Sequence, residues 1–300
     1  MTGRPYDKPW CSLENQLQKI RDRGIVVHDE DAAIRYLRHL NYYRFSGYCL
    51  AFETERHVYP DGTTFEQIIQ AYEFDLDLRD LLTEALETIE VDLRTSFAYH
   101  FGEKYGAFGH VEEHNFFHTF DHDDWIGRLR EEATRSSELF VTHFQKTYAE
   151  YPDLPVWMVT EVASFGGLSR MYSGMKRSDQ KTIAQQYRLQ PDVVGTWMHH
   201  FVYVRNLCAH HARLWDRQWS IRPAILRSKE WQPKTLPDNS RLFVTLLVIK
   251  YMLKRMPAVS PFMVRWSKRV EEHLDNPPSV AKPLLPMGLT YNWKQHPVWR

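Results

Sequence analysis

The sequence has no apolar run long enough to cross a bilayer. Behind its first residues, Met-Thr-Gly-Arg-Pro-Tyr-Asp, there is no apolar core of the kind a secretory signal carries. We therefore expect a cytoplasmic protein with no membrane partner. Cysteine is scarce: Cys11, Cys49 and Cys208 are an odd, scattered set without a CxxC pair. That argues against a disulfide framework and a zinc ribbon, and leaves Cys208 as a small buried hydrophobe. Convincing period-2 alternation is missing, as are internal repeats and low-complexity tracts, so nothing in the pattern builds a sheet. Net charge is absent too, at 38 basic against 38 acidic residues, which argues against indiscriminate coating of nucleic acid.

What is present is aromatic. Ten Trp, 16 Tyr and 16 Phe favour a well-packed interior over a solvated scaffold, and 300 residues allow one large domain or two small ones. The zero net charge hides an asymmetry. Residues 1–175 hold 17 Lys and Arg against 30 Asp and Glu, and residues 176–300 hold 21 against 8, which makes the halves −13 and +13. Either the halves neutralise one another across an internal interface, or the basic half offers a local polyanion-binding surface.

Apolar positions recur with the helical period almost throughout, so the fold class is all-α. A helix over 12–24 starts at Ser12 and stops at Gly24, and a second spans about 30–40. Asn41-Tyr-Tyr-Arg-Phe-Ser-Gly47 follows as an aromatic junction, and the Pro-Asp-Gly within 53–63 marks a turn or short hairpin. Thr64-Phe-Glu-Gln67 is a capping box that opens the longest periodic stretch, with a break expected near Asp77 and a stop over Gly102, Gly106 and Gly109. One helix is expected over 122–149 and a short one over 157–164, halted by Phe165-Gly-Gly167. Another short helix runs over 168–175, and an exposed amphipathic one over 178–187. Pro191 stands at the first position of the helix that carries the most polar stretch. Helices resume at about 239–256 and 260–274. The tail from Asn276, with Pro277, Pro278, Pro283, Pro286 and Pro297, is expected as an extended strap or a loose end. The weak boundaries near 60 and 226 divide the chain into an N-terminal helical segment (1–60), a helical core (61–226), and C-terminal helices with the Pro-rich tail (227–300).

Val202-Tyr-Val-Arg-Asn-Leu-Cys-Ala-His-His-Ala-Arg-Leu-Trp215 packs Arg205, Asn206, His210, His211 and Arg213 into an otherwise apolar run. If the run is helical throughout, Asn206 and His210 share a face at i and i+4, Arg213 continues it, and Arg205 reaches its edge. An imidazole that exchanges protons near neutral pH, beside a fixed cation and an amide, has the parts that cleavage of RNA through its 2′-hydroxyl requires. The alternative is an Arg/His cluster that caps buried carbonyls or pairs with the acidic half. One copy offers one principal histidine, so a second copy across a dimer, or His211 or Arg213, completes a catalytic site.

The chain resembles the Abi-like bacterial abortive-infection family (AbiD/AbiF type), a branch of the HEPN superfamily. The resemblance rests on Asn41-Tyr-Tyr-Arg-Phe-Ser-Gly-Tyr48, Ile89-Glu-Val-Asp-Leu-Arg94, Tyr105-Gly-Ala-Phe-Gly109, Val156-Trp-Met-Val-Thr-Glu161 with Ser164-Phe-Gly-Gly-Leu-Ser169, and Val204 to Trp215. It implies an all-α, HEPN-like helical bundle with additional N- and C-terminal helices, and a metal-independent endoribonuclease of anti-phage defence that acts as a toxin. Its signature falls on Arg205, Asn206 and His210. No cofactor or metal is implied. The partners implied are RNA, as substrate and as a small non-coding RNA, a second copy of the chain, and a phage trigger or antitoxin-like regulator. Asp216 departs from the Asn that relatives often carry there. A non-catalytic RNA-binding or partner-binding module on the same surface is the alternative.

Supporting roles are open to His211, Arg213, Glu90, Arg94 and His100. Arg94 and His100 lie at i and i+6, on different faces of one helix, whereas Glu90 and Arg94 at i and i+4 suit an ion pair. Glu90 is also a candidate to orient Arg205 or His210. His110, His114, His118 and His122 recur every four residues, but their Gly-rich setting reads as a loop rather than a metal site. Lys176-Arg177, Lys250 with Lys254-Arg255, and Lys268-Arg269 are either solvated helix faces or RNA backbone contacts.

Overall fold

The computed structural model describes residues 5–7, 9–231, 239–280 and 284–300; Pro283 of the tail lies outside them. Among the described residues there are twelve α-helices and only isolated β-bridges, so the all-α reading holds. The chain divides into two compact units, Met1–Leu78 with His273–Leu284, and Arg79–Glu272 with Leu285–Arg300. No helix among the described residues is long and apolar enough to cross a membrane.

In the first unit, α1 (Leu13–Asp22) is capped by the Ser12 hydroxyl, which accepts from the Asn15 amide at 3.2 Å. The Asp29 carboxylate caps α2 (Glu30–Leu40) in the same way, at 2.8 Å from the Ala32 amide. The aromatic junction is itself a helix, α3 (Tyr42–Cys49). Asn41 sits at φ +65°, ending α2 and capping α3 with its own amide oxygen, 2.9 Å from the Tyr43 N–H. Asn is among the few side chains that tolerate positive φ, so one residue turns the chain between two helices. Phe45 stacks on Phe65 at 4.6 Å between ring centres. Beneath them the Tyr48 hydroxyl donates to the buried Asp75 carboxylate at 2.7 Å. Residues 53–63 form turns with a single bridge between Glu55 and Val58.

Helix α4 (Phe65–Tyr105) begins at the expected capping box: the Gln67 side chain accepts from Thr64 N–H at 2.9 Å, and Thr64 Oγ1 accepts from Gln67 N–H at 3.1 Å. It runs 41 residues without the break expected near Asp77. Leu78, Leu82, Leu86, Ile89, Leu93, Phe97 and Phe101 form an uninterrupted buried seam along it, and each such side chain contributes about 1.5–3 kcal/mol. The seam, not the local charges, keeps the helix whole. Gly106, at φ +76°, terminates it.

In the second unit the single helix expected over 122–149 is two, α5 (His122–Arg135) and α6 (Leu139–Thr147). Ser136 turns extended between them and its hydroxyl accepts from the Glu138 amide at 3.3 Å, a local bond that competes with the helix. Helix α7 (Val156–Val162) ends at Ala163. Phe165-Gly-Gly167 is therefore not a stop but the first turn of α8 (Phe165–Gly174), capped by Ser164 Oγ on the Gly167 amide at 3.1 Å. A Cβ on Gly174 would sit 2.5 Å from the Phe120 ring, so only glycine lets these segments meet. Helices α9 (Arg177–Gln186) and α10 (Pro191–Ala209) follow, and α10 packs on both α8 and α9. Every residue of α11 (Leu242–Leu253) is buried, Thr245 and Lys250 included, in a helix otherwise apolar all round; α12 (Ser260–Leu274) comes next.

The tail is a packed strap. Trp299, 1% exposed, lies against Trp266 and Trp293 with ring centres 6.0 and 5.0 Å apart, and its indole N–H donates to Glu271 at 2.8 Å. This strap also corrects the reading of Lys250 and Lys254 as a solvated face. Lys250 lies over the Trp299 ring at 4.3 Å and burial pulls its amine down to about 8, while Lys254 donates to the carbonyls of Val298 and Arg300 at 2.9 and 2.6 Å. Arg255 covers the Tyr251 ring. Arg177 forks onto Asp192 at 2.6 and 2.8 Å, Lys268 meets Glu272 at 3.5 Å, and Arg269 pairs with Glu84. Lys250 and Lys254 are thus occupied by the protein itself, whereas Lys268, 77% exposed, lies on a solvated helix face.

Candidate functional site

Helix α10 starts with Pro191 at its first position, where a missing N–H costs nothing. Val194, Trp197, Met198, Phe201, Val204 and Cys208 all turn inward at helical spacing, and that geometry forces Arg205 and Asn206 outward. Both are exposed. The helix ends sooner than expected, at Ala209, so Arg213 does not continue the Asn206 face. His210 is the capping residue, and His211 takes φ +53°. The stop is a paired one: Ala212 N–H bonds to Leu207 O at 2.9 Å and His211 N–H to Cys208 O at 2.9 Å. Glycine usually fills such a left-handed position, and a histidine there stores about 1–3 kcal/mol of strain. The segment beyond is anchored by the fully buried Leu214 and Trp215, and Arg79 of α4 reaches the Ala212 carbonyl at 3.5 Å.

Asn206 and His210 line one cavity of about 290 Å³ together with His199, Tyr203 and Ile221. Arg205, one residue round the helix from Asn206, stands outside that lining. Among the described residues, the side chains of Arg205, Asn206 and His210 engage no hydrogen bond or ion pair, and all three are open to solvent. His199 and Val202 also line a second depression of about 480 Å³, with Arg128, Arg135, Arg170 and Ser164 around it. Its cations are balanced locally: Arg128 and Arg170 both bind Asp124, and Arg135 binds Glu131.

His199 and Tyr203 escaped the sequence reading. Their signal was there, since 199, 203, 206 and 210 recur at helical spacing along one face. The doublet His199-His200 hid it, because the two rings have opposite fates. His200 is fully buried; its Nδ1 donates to the Ile221 carbonyl at 2.7 Å, which leaves Nε2 to accept from the Thr245 hydroxyl at 2.9 Å. Burial pulls its pKa down to about 4, so it is a neutral structural group.

The remaining residues named from the sequence are placed elsewhere. Arg94 pairs with Glu90 and donates to the carbonyls of Thr160 and Glu161 on α7. Glu90 is thus engaged by Arg94 rather than by Arg205 or His210. His100 lies 3.2 Å from the buried Asp179 carboxylate of α9, which also receives Lys104 and, at 2.9 Å, the Tyr105 hydroxyl. Burial pushes Asp179 up, but these hydrogen bonds outweigh it and hold the carboxyl below its ordinary value. Arg94 and His100 therefore tie α4 to two different neighbours. His110, His114, His118 and His122 do not converge. His122 opens α5 and bonds to the His110 carbonyl at 2.9 Å, His110 is buried with its pKa pulled down to about 4, and His114 is solvent-facing. Among the described residues no three His, Cys, Asp or Glu side chains are grouped to hold a metal.

No curated protein and no solved structure matches the chain. A family model described as Abi-like protein matches residues 35–216, which takes in α3 through α10 and the Arg205–His210 stretch. The match covers well over half of the chain, so the chain belongs to the Abi-like family, whose name points to abortive-infection defence.

Proposed function

We propose that the protein is a metal-independent endoribonuclease of bacterial anti-phage defence that cuts RNA at the end of α10. The observation that carries this reading is the joint exposure of His210 and Asn206 in one small cavity, with the unengaged guanidinium of Arg205 on the adjoining surface. His210 takes the 2′-hydroxyl proton and the 2′-oxygen attacks phosphorus. Arg205 stabilises the charge that builds on the phosphoryl oxygens, and Asn206 orients the reacting group. The bond to the 5′-oxygen breaks, giving a 2′,3′-cyclic phosphate and, once a proton reaches the leaving oxygen, a 5′-hydroxyl.

That second proton has to come from another group. His199 lines the same cavity, but its backbone lies eleven residues from His210, about 16 Å along the helix axis, so both imidazoles would have to extend towards one another to share a phosphodiester. His211 or the His210 of a second copy fills the role. This incompleteness also favours a second reading, in which a single copy binds RNA or a partner without cutting it. The purified protein, in EDTA, is expected to cleave single-stranded RNA to cyclic-phosphate ends, with a specific rate that rises with protein concentration if two copies share the site. Unchanged cleavage by a folded His210→Ala protein would sink the assignment, and RNA binding without product under every activating condition would establish the second reading.

A further inference from the structure

The largest of the described cavities, about 810 Å³, lies in the first unit, away from the Arg205–His210 stretch in sequence and within that unit alone. Its walls come from the segment before α1, from α1 itself, and from the α2–α3 junction. Lys19, Arg23 and Arg38 supply three cations to the lining and no carboxylate residue lines it. None of the three cations makes a salt bridge among the described residues, although Arg38 also acts on the exposed Glu14 carboxyl. Three cations around one cavity suit an anion.

The rest of the lining is aromatic and incompletely satisfied. Trp10 and Tyr43, 88% and 67% exposed, offer ring faces at the cavity, and Tyr6 holds Tyr43 through a hydroxyl contact of 3.4 Å. The Arg23 guanidinium lies 6.0 Å from the centre of the Tyr42 ring. Two lining residues carry polar atoms that are shut off from solvent and have no partner: Gln16 Oε1 and the Tyr42 hydroxyl. The Gln16 amide is fixed in orientation, because its nitrogen donates to the Cys11 carbonyl at 2.8 Å and a carbonyl can only accept. Buried polar atoms are ordinarily paired, so the two orphans mark the wall of this cavity as incompletely satisfied.

The geometry points to a nucleotide pocket here: a phosphate held by Lys19, Arg23 and Arg38, and a base against the Trp10 and Tyr43 rings. The same chemistry is offered by a free mononucleotide and by one nucleotide of a single-stranded RNA.

Isothermal titration of the full chain with 5′-AMP, 5′-GMP, 5′-CMP and 5′-UMP tests the pocket. A 5′-phosphorylated ten-nucleotide RNA, titrated into the His210→Ala protein so that it stays intact, distinguishes the two sources. Saturable binding of the mononucleotides marks a free-nucleotide site, and binding of the RNA alone marks a strand site; both support the pocket. Arg38→Gln and Tyr43→Ala, each at an exposed position, are expected to weaken binding about tenfold while leaving the melting curve in place. No saturable binding of any probe overturns the proposal. So does binding that both exposed variants leave unchanged, or inorganic phosphate binding as tightly as the nucleotides. Because Arg205 and His210 take no part in the pocket, a loss of cleavage in His210→Ala with binding retained separates this proposal from the endoribonuclease reading.

Discussion

His200 donates its Nδ1 proton to the carbonyl of Ile221 at 2.7 Å, whereas its neighbour His199 faces the cavity that holds Asn206 and His210. One ring braces the helix from inside and the other is available to a ligand. The buried ring makes the first prediction. Its folded pKa of about 4 lies below the ordinary value of 6.5, so the unfolded chain binds a proton that the folded chain refuses. Stability from this group is therefore full above pH 6.5 and is lost as pH falls towards 4, by about 3 kcal/mol. His110, pulled down for the same reason, adds a fall over the same range. Melting temperatures recorded between pH 7 and 4 should drop steeply. In His200→Gln the protein should be less stable at pH 7 and lose less on acidification, and an identical slope would refute the assignment.

His211 holds a left-handed backbone position that glycine fills without strain. His211→Gly is expected to stabilise the protein by up to about 1 kcal/mol, the loss of the side chain's own contacts offsetting part of the gain. Chemical denaturation reads the stability. If His211 supplies the second proton, the same variant loses cleavage while gaining stability, and a variant that is both more stable and fully active removes His211 from the mechanism.

Arg205 separates charge from shape. Arg205→Lys keeps a cation but loses the planar fork that matches phosphate oxygens. Cleavage should fall by about 10²-fold with RNA affinity reduced far less, a split visible in single-turnover rates measured against binding curves. Equal losses in rate and affinity would instead make Arg205 a binding residue only.

The buried Asp179 carboxylate receives His100, Tyr105 and the more exposed Lys104. Asp179→Asn weakens these charge-assisted bonds while Lys104 turns to solvent, and should cost about 1–2 kcal/mol. Because the folded carboxyl is held below its ordinary value, its contribution is present above about pH 4 and disappears as pH falls through the folded value. The gap between wild type and variant should narrow at acid pH, and a constant gap would mean that the charge is irrelevant to the loss.

Where the backbone's needs were met by side-chain chemistry of an expected type, the sequence was legible. The Thr64–Gln67 capping box and Pro191 at the head of α10 both stand where the pattern places them. Three of the misreadings share one cause: local bonds made by residues that carry no strong signal. Ser136 breaks a periodic stretch with its own hydroxyl, Ser164 turns two glycines from a stop into a helix start, and His211 stops α10 where no glycine announces it. The exposure of Arg205, Asn206 and His210 was legible because apolar positions at helical spacing leave one face for them. Which histidine of His199-His200 turns outward was not, since that depends on Thr245 and Ile221, distant in sequence. The same holds for Lys250 and Lys254, whose aromatic and carbonyl partners arrive from the tail.

The strap that Lys254 fastens to the carbonyls of Val298 and Arg300 sets an order of events during synthesis. Trp299 is buried against Trp266 and Trp293 and forms part of the core of that unit. While residue 300 is still inside the ribosome, the unit that carries Arg205 and His210 lacks part of its core. A nascent chain thus cannot complete that unit before its translation has passed the strap, and a chain whose translation stops short leaves the unit open.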